Sequence, residues 1–368
     1  MSTTTVTLTA DQDEIRDVAR RFLDTEYPLG TVRELMAGEG LSGEAWAGIA
    51  EMGWAGIAVA EELGGAGYGD VERVVLMEEM GCSLLPGPFL SSAVLASDLL
   101  SALGAVERLV PLIAGERRAT VVAAGDLHGG DSVAGAVRAE GTSTLHGRGG
   151  LVLDAHEADE LLVAAALEDD GGVGVFAVAG DAQGVQRTPR ALVDETRRAA
   201  LITFDGAAAE RLGDGDQSEL LRGALERSTV ALAAEQVGGA RQALEITLAY
   251  MRDRHQFGVP IGSFQALKHR ACDLGVAVQT ARETVLFAVD ALALENDRVG
   301  AARAVSAAKA AASDTFVKVT TEGIQLHGGI GFTQECDIGL YYKRAVVSAA
   351  VLGSSIDHRA RLAASFDL

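Results

Sequence analysis

Two stretches of this 368-residue chain combine residue types suited to holding a phosphate-bearing ligand. The first, Arg254-His-Gln-Phe-Gly-Val-Pro-Ile-Gly-Ser-Phe-Gln265, sets an arginine and two amide side chains among aromatics and glycines. The second, Gln325-Leu-His-Gly-Gly-Ile-Gly-Phe332, sets an amide beside a run of glycines. An arginine's planar fork makes charge-assisted hydrogen bonds to phosphate oxygens, and glycine admits close backbone approach. Taken alone, Arg254 would read as a solvated or ion-paired arginine at a helix end. Gly328-Gly-Ile-Gly331 would read as a phosphate loop, but a dinucleotide fingerprint follows a strand and opens a βαβ unit, whereas helix precedes it here. His327 has no second histidine or carboxylate at metal spacing and reads as a packed or capping side chain. Gly65-Ala-Gly67 falls between helical segments and reads as a loop.

In this order and spacing, each set against a helical stretch, the two segments resemble the flavin-contacting signatures of the acyl-CoA dehydrogenase family. The resemblance runs from about Leu8 to Ala363. It implies FAD lying across a subunit interface, its adenine end gripped by a neighbouring chain. Carried over residue by residue, Arg254 would hold the pyrophosphate, and Gln256 and Phe257 would touch the cofactor, with Ile261 and Phe264 in the same contact segment. Gln265 would hydrogen-bond near it, Gln325, Gly328 and Gly329 would lie along its adenosine half, and Ser354 stands where the family has a threonine. The reaction implied is α,β-desaturation of an acyl-CoA. That chemistry needs a positioned carboxylate for the α-hydrogen, a flavin to accept hydride, and exclusion of water.

The residues for this chain's own half of that chemistry depart from the pattern. Aligning Lys343 to Ser354 with the family's Tyr-Glu-Gly-Thr stretch puts Leu352 where the base belongs, and leucine takes no proton. A minority of the family carries its glutamate early in the helix before the Arg254 motif, where this chain has Ser228, and Glu226 is expected to point elsewhere on that helix. Glu235, about 10 Å beyond Ser228 by helical rise, is the fallback carboxylate, the alternative being a buried, paired glutamate. The flavin-cradling loop reads Ala124-Gly-Asp-Leu-His-Gly-Gly-Asp131, keeping only Gly129 and Asp131, and the cradle strand offers Leu151 and Leu153 for an aromatic and a hydroxyl. The intact arm beside degraded ring-holding and base positions resembles the subunit lacking the base in heteromeric actinobacterial dehydrogenases, an α2β2 assembly with a second dehydrogenase subunit. An active homotetramer using Glu235 and a non-enzymatic CoA-thioester-binding scaffold are the alternatives. An electron-transfer flavoprotein is the acceptor that the resemblance implies.

These residues need a scaffold, and the pattern supplies one. From Thr9 to about Ile113 the periodicity is helical, with Ile15, Val18, Phe22 and Leu23 on one face and Thr9 as an N-cap. Short apolar runs such as Leu161-Leu-Val-Ala-Ala, separated by Gly and Asp, then read as strands, and after Asp216 long helical stretches return. The expected fold class is α+β, acyl-CoA dehydrogenase-like: an N-terminal helical domain (1–113), a central small β-barrel or sandwich domain (114–214) and a C-terminal four-helix bundle (215–368). A 48% hydrophobic content with only 5% aromatic residues suits packed helices. The net charge of −21 argues against nucleic acid and anionic membrane partners. It also requires a local basic pocket for the phosphates of CoA, for which Arg252, Arg254, Lys268 and Arg270 are candidates. Cys82, Cys272 and Cys336 are odd in number and lack a CxxC pair, so neither a disulfide framework nor a zinc site is indicated, and with no leader pattern the cytoplasm is expected.

Overall fold

The computed structural model describes residues 8–123, 136–168, 172–294 and 296–366. The chain opens with α1 (Ala10–Glu26), α2 (Leu29–Ala37), α3 (Gly43–Glu51) and α4 (Asp70–Ser83). A π-helical stretch, Phe89–Ala96, then runs into α5 (Ser97–Ala102), and α6 (Val106–Ile113) follows. Thr9 caps α1 reciprocally: its hydroxyl accepts from the Gln12 backbone N–H, and the Gln12 side chain accepts from the Thr9 N–H, satisfying two of the donors that a helix start leaves unpaired.

Next come β1 (Ala119–Val122), β2 (Ala136–Glu140), β3 (Thr144–Leu153), β4 (Glu160–Leu167), β5 (Val173–Ala179), β6 (Val185–Arg190), β7 (Ala199–Ala208) and β8 (Glu210–Leu212). They form one eight-stranded sheet in the order β6-β7-β3-β2-β4-β5-β8, with β1 and β2 both parallel to β4 and the other pairings antiparallel. The central β unit is thus a single curled sheet around its own apolar cluster, to which Leu145, Val152, Leu161, Phe176 and Ile202 contribute. Alternation along β3 sends Val152 into that cluster, while Leu151 and Leu153 face the helices.

The chain ends with α7 (Ser218–Asp253), a hairpin of β9 (His255–Gln256) and β10 (Val259–Pro260), then α8 (Gln265–Leu292), α9 (Arg298–His327), α10 (Ile338–Ala350) and α11 (Ser355–Ser365). Helices α7, α8, α9 and α10 pack together, with α11 against α9 and α4 laid across α7. Glycines set that last crossing. A Cβ on Gly81 would sit 2.0 Å from the Glu235 carbonyl oxygen, and one on Gly238 would sit 1.8 Å from that of Glu78, so the two backbones touch where side chains would hold them apart. Buried ion pairs flank the contact: Glu79 accepts from Arg20 at 3.1 Å and Arg241 at 2.6 Å, and Glu78 pairs with Arg282 at 3.0 Å.

The close crossing yields a direct test. Gly238→Ala should destabilise the protein by about 1–3 kcal/mol in urea unfolding, as overpacking does. Gly223→Ala in the same helix, whose Cβ would meet only the Arg227 Nη1 at 3.7 Å, should be neutral or stabilise by roughly 0.5–1 kcal/mol.

Candidate functional site

The Arg254 segment is built on the end of α7. Arg254 is the first residue past the helix, in extended conformation, and its carbonyl accepts from the Ile261 N–H at 2.8 Å, closing the hairpin at its base. The two residues at the hairpin tip, Phe257 (φ 55°) and Gly258 (φ 81°), are both left-handed, as a tight two-residue turn requires. For glycine this is free, but for a bulky aromatic it is strained, and the Phe257 ring stands 93% exposed. Phe264 meets it edge-on at 6.2 Å and caps the start of α8, where Gln265 is the first residue. The Gln256 amide donates to the His255 carbonyl at 2.8 Å.

The second segment arrives at the same place. Leu326 packs with Ile261, Met251 and Ala271 in one small apolar cluster, so Ile261 lies inside, beneath the segment it was expected to serve as a contact. His327 is buried, stacks on Tyr250 at 4.4 Å between centroids, and shares a 2.7 Å hydrogen bond with the Gly323 carbonyl. It is a packed side chain, and among the described residues no group of three or more metal-ligating side chains comes together. Arg254, Gln256, Phe257, Gln265, Gln325, Gly328 and Gly329 are all exposed. A Cβ at Gly328 or Gly329 would meet nothing within 4 Å. Gly328 has a left-handed φ of 65°, but Gly329 has neither that conformation nor a neighbour that demands glycine. Open space at Gly329 fits a ligand approaching from outside the chain.

A cavity of about 480 Å³ lies between the sheet and the helices. Leu151, Leu153 and Leu352 line it, and none of the arm residues does. Four hydroxyls in its wall are engaged: Ser91 donates to Asp154 at 2.6 Å, Thr120 to the Leu153 carbonyl at 2.9 Å, Thr229 to the Leu225 carbonyl at 2.7 Å and Ser365 to the Leu362 carbonyl at 2.7 Å. Arg222, Arg303 and Arg361 also line it, whereas Arg252, Arg254, Lys268 and Arg270, the expected basic pocket, do not. Arg270 is instead paired with Glu322. The Gly129 and Asp131 expectation lies outside the described residues.

Residues 9–107 match the N-terminal domain of acyl-CoA dehydrogenases and residues 219–366 their C-terminal domain. Acyl-CoA dehydrogenase IpdE2 of Mycolicibacterium smegmatis is 33% identical over 361 residues, covering 97% of this chain and 99% of that protein. This chain belongs to the acyl-CoA dehydrogenase family, a family of FAD-dependent oxidoreductases. Among solved structures, the ChsE4-ChsE5 complex from Mycobacterium tuberculosis superposes with a TM-score of 0.88 at 27% identity, covering 98% of each chain. A variant of the Tcur3481-Tcur3483 steroid ACAD superposes at 0.86 and 28% identity, covering 97% of this chain and 98% of that one.

Within an acyl-CoA dehydrogenase fold, the placement of the carboxylates corrects two expectations. Glu235, the fallback base, is not at the cavity. It is buried between the guanidiniums of Arg197, in the β6–β7 connection, and Arg344, on α10, the latter at 2.7 Å. Burial by itself would raise its pKa, but the two arginines outweigh this and hold it down to about 2. A carboxylate so clamped is a structural ion, not a proton acceptor. Glu226, expected to point away, does line the cavity, while Ser228 is fully buried elsewhere with its hydroxyl unpartnered. The stripe Arg222, Leu225, Glu226, Thr229 follows the i, i+3, i+4, i+7 rule for one helix face, a register that the sequence contains. Burial pushes the Glu226 carboxyl above its ordinary range.

Lys309 and His358 carried no sequence signal, yet both hold the Leu352 segment. Lys309 is buried and donates to the carbonyls of Ser348, Ala349 and Gly353 at 3.1–3.3 Å, and burial pulls its pKa down to about 7. His358, pushed down to about 4 by burial, is neutral, so its Nε2–H donates to the Leu352 carbonyl at 2.9 Å. Ser354 caps α11, its hydroxyl donating to Asp357 at 2.6 Å.

The Glu235 clamp sets a pH dependence. Its folded pKa lies below the ordinary 4.5, so the stability that its ionised form contributes is complete above that pH and is lost as the pH falls towards 2. Glu235→Gln should cost about 3–5 kcal/mol near neutrality, because two buried guanidiniums lose a shared carboxylate and Arg344 is left with Asp194 alone. Urea unfolding should show this gap narrowing steadily in acid, and a gap independent of pH would contradict the clamp.

Proposed function

We propose that this chain is one subunit of a heteromeric, FAD-dependent acyl-CoA dehydrogenase, completing a partner subunit's cofactor site while the partner supplies the catalytic base. The observation that carries this reading is the contrast between the two regions. The arm is preformed, exposed and strained at Phe257, with open space at Gly329, whereas the cavity is lined by Leu151, Leu153 and Leu352, the last being the residue that the motif alignment sets where a base is expected. Arg254 would neutralise pyrophosphate charge, Gln256, Phe257 and Gln265 would orient the cofactor, and Gly328 and Gly329 would admit its adenosine half. FAD, when bound, supplies the hydride acceptor. The exposed apolar side chains Phe257, Ile330 and Phe332 suit burial against a neighbour, which would also exclude water from the cofactor.

The heteromeric ChsE4-ChsE5 neighbour supports a second subunit, and the steroid ACAD neighbour supports a bulky, ring-bearing acyl-CoA as the substrate of the assembly. An electron-transfer flavoprotein would take the electrons, and three free cysteines suit the cytoplasm. A second reading is favoured by one observation, the Glu226 carboxyl in the cavity wall: an active homo-oligomer with Glu226 as base.

Flavin counting decides between them. The purified chain should carry little flavin and fail to oxidise acyl-CoA with an artificial acceptor, and should gain FAD when mixed with the subunit that co-purifies with it from its host. In that assembly Arg254→Ala should weaken FAD binding by about ten- to a hundredfold, the loss of a charge-assisted hydrogen bond. A lone chain with full flavin and turnover that Glu226→Gln abolishes would establish the second reading instead.

A further inference from the structure

Lys309 on α9 takes no part in the function proposed above, yet it is fully buried. Its ammonium donates to four acceptors: the Ser313 hydroxyl at 2.8 Å and the carbonyls of Ser348, Ala349 and Gly353 at 3.1–3.3 Å. Ser348 and Ala349 lie in the last turn of α10, where a helix leaves its carbonyls without partners, so the lysine caps α10 from outside. Gly353 belongs to the turn that joins α10 to α11. In that turn Leu352 (φ 56°) and Gly353 (φ 98°) are both left-handed, and Leu352 lines the cavity. A left-handed leucine is strained and persists only where its surroundings over-determine it. Lys309 holds one side of the turn, and His358 holds the other through the Leu352 carbonyl at 2.9 Å.

The four partners of Lys309 are all neutral. Gln236 on α7 completes the network, its amide donating to the Ser348 hydroxyl at 3.1 Å and accepting from Ser313 at 3.2 Å. The acids that act on Lys309 through space, Asp314 on α9 and Asp357 on α11, are engaged with Arg359 and with Ser354. Glu235 on α7 faces Arg197 and Arg344, Arg344 on α10 is bound by Asp194 and Glu235, and Arg361 stands beside His358 on α11. An ammonium withdrawn from water among neutral groups is costly, and burial accordingly brings Lys309 down to about 7. His358 is pushed down to about 4 for the same reason, and its Nδ1 is buried without a partner, so a second proton there would have no acceptor.

Proton binding favours whichever state gives a base its higher pKa. With the turn closed, Lys309 titrates at about 7; with the turn open and the amine hydrated, it returns towards 10.5. Protons therefore favour opening. Between those two values closing expels the proton, and the neutral amine still donates to two carbonyls while accepting from the Ser313 hydroxyl.

We propose that the turn at Leu352 is a pH-sensitive latch, in which Lys309 and His358 hold the strained leucine against the cavity when neutral and loosen it when protonated. The latch is independent of which subunit bears the catalytic base.

Lys309 is one of four lysines, so the full chain labelled with ¹³C at lysine Cε gives four resonances. Lys268→Arg, Lys318→Arg and Lys343→Arg, at positions that are not buried, assign Lys309 by elimination, and its resonance should titrate at about 7. Hydrogen exchange of segment 348–356, followed by mass spectrometry and corrected for the intrinsic rate at each pH, reports opening of the turn. Its protection should rise by nearly tenfold per pH unit from about pH 7 to 9, as one proton is lost on closing. Lys309→Met, with folding checked by thermal unfolding, should remove that slope. A Lys309 resonance that titrates at its ordinary 10.5, wild-type protection that stays constant over this range, or a slope that survives in Lys309→Met each overturns the latch. None of these outcomes involves flavin content, so the proposed function stands or falls separately.

Discussion

The architecture depends on one buried carboxylate between two buried guanidiniums. Glu235 on α7 receives Arg197 from the β6–β7 connection and Arg344 from α10, and Arg344 goes on to Asp194 at 2.8 Å and to the carbonyls of Leu84 and Leu85 at 3.2 Å. Charges withdrawn from water in this way are tolerated only when mutually satisfied. Their geometry therefore ties the end of the N-terminal helices, the sheet and the C-terminal helices to one another. The Gly81–Gly238 crossing brings α4 against α7 beside the same point, so packing and electrostatics lock the same junction.

Around that junction lie two regions of opposite exposure. At one end of the helical bundle, the Ile261–Leu326 cluster fuses two sequence segments into a rigid arm whose polar groups and strained Phe257 face outward. Between sheet and helices, the cavity faces inward, lined by Leu151, Leu153 and Leu352 together with Glu226 and three arginines. The exposed arm is the feature on which the proposed sharing of a cofactor with another chain rests.

Some of this was legible in the linear chain. The helical periods between Ser218 and His327 correspond to α7, α8 and α9 to within a few residues, because long amphipathic repeats report directly on which face is buried. The wet side of the arm was legible as well, since glutamine, arginine and glycine at surface positions carry meaning without knowledge of what packs beneath them. Ile261, the arm residue that turned inward, is aliphatic, whereas the aromatic Phe257 and Phe264 stay exposed.

The carboxylates were not legible. Residue type and motif alignment nominated Glu235 and set aside Glu226, and the fold places the first in an ion-pair clamp and the second at the cavity. Lys309 and His358, with no motif around them, hold the Leu352 backbone. The order of local elements and the family's outward-facing signature were determined by sequence alone, because both depend on neighbours along the chain. Which acid is paired, which is desolvated at a cavity and which lysine grips a strained loop were decided only by the tertiary structure, because a group's charge state depends on partners that lie far away in sequence and within a few ångströms in space.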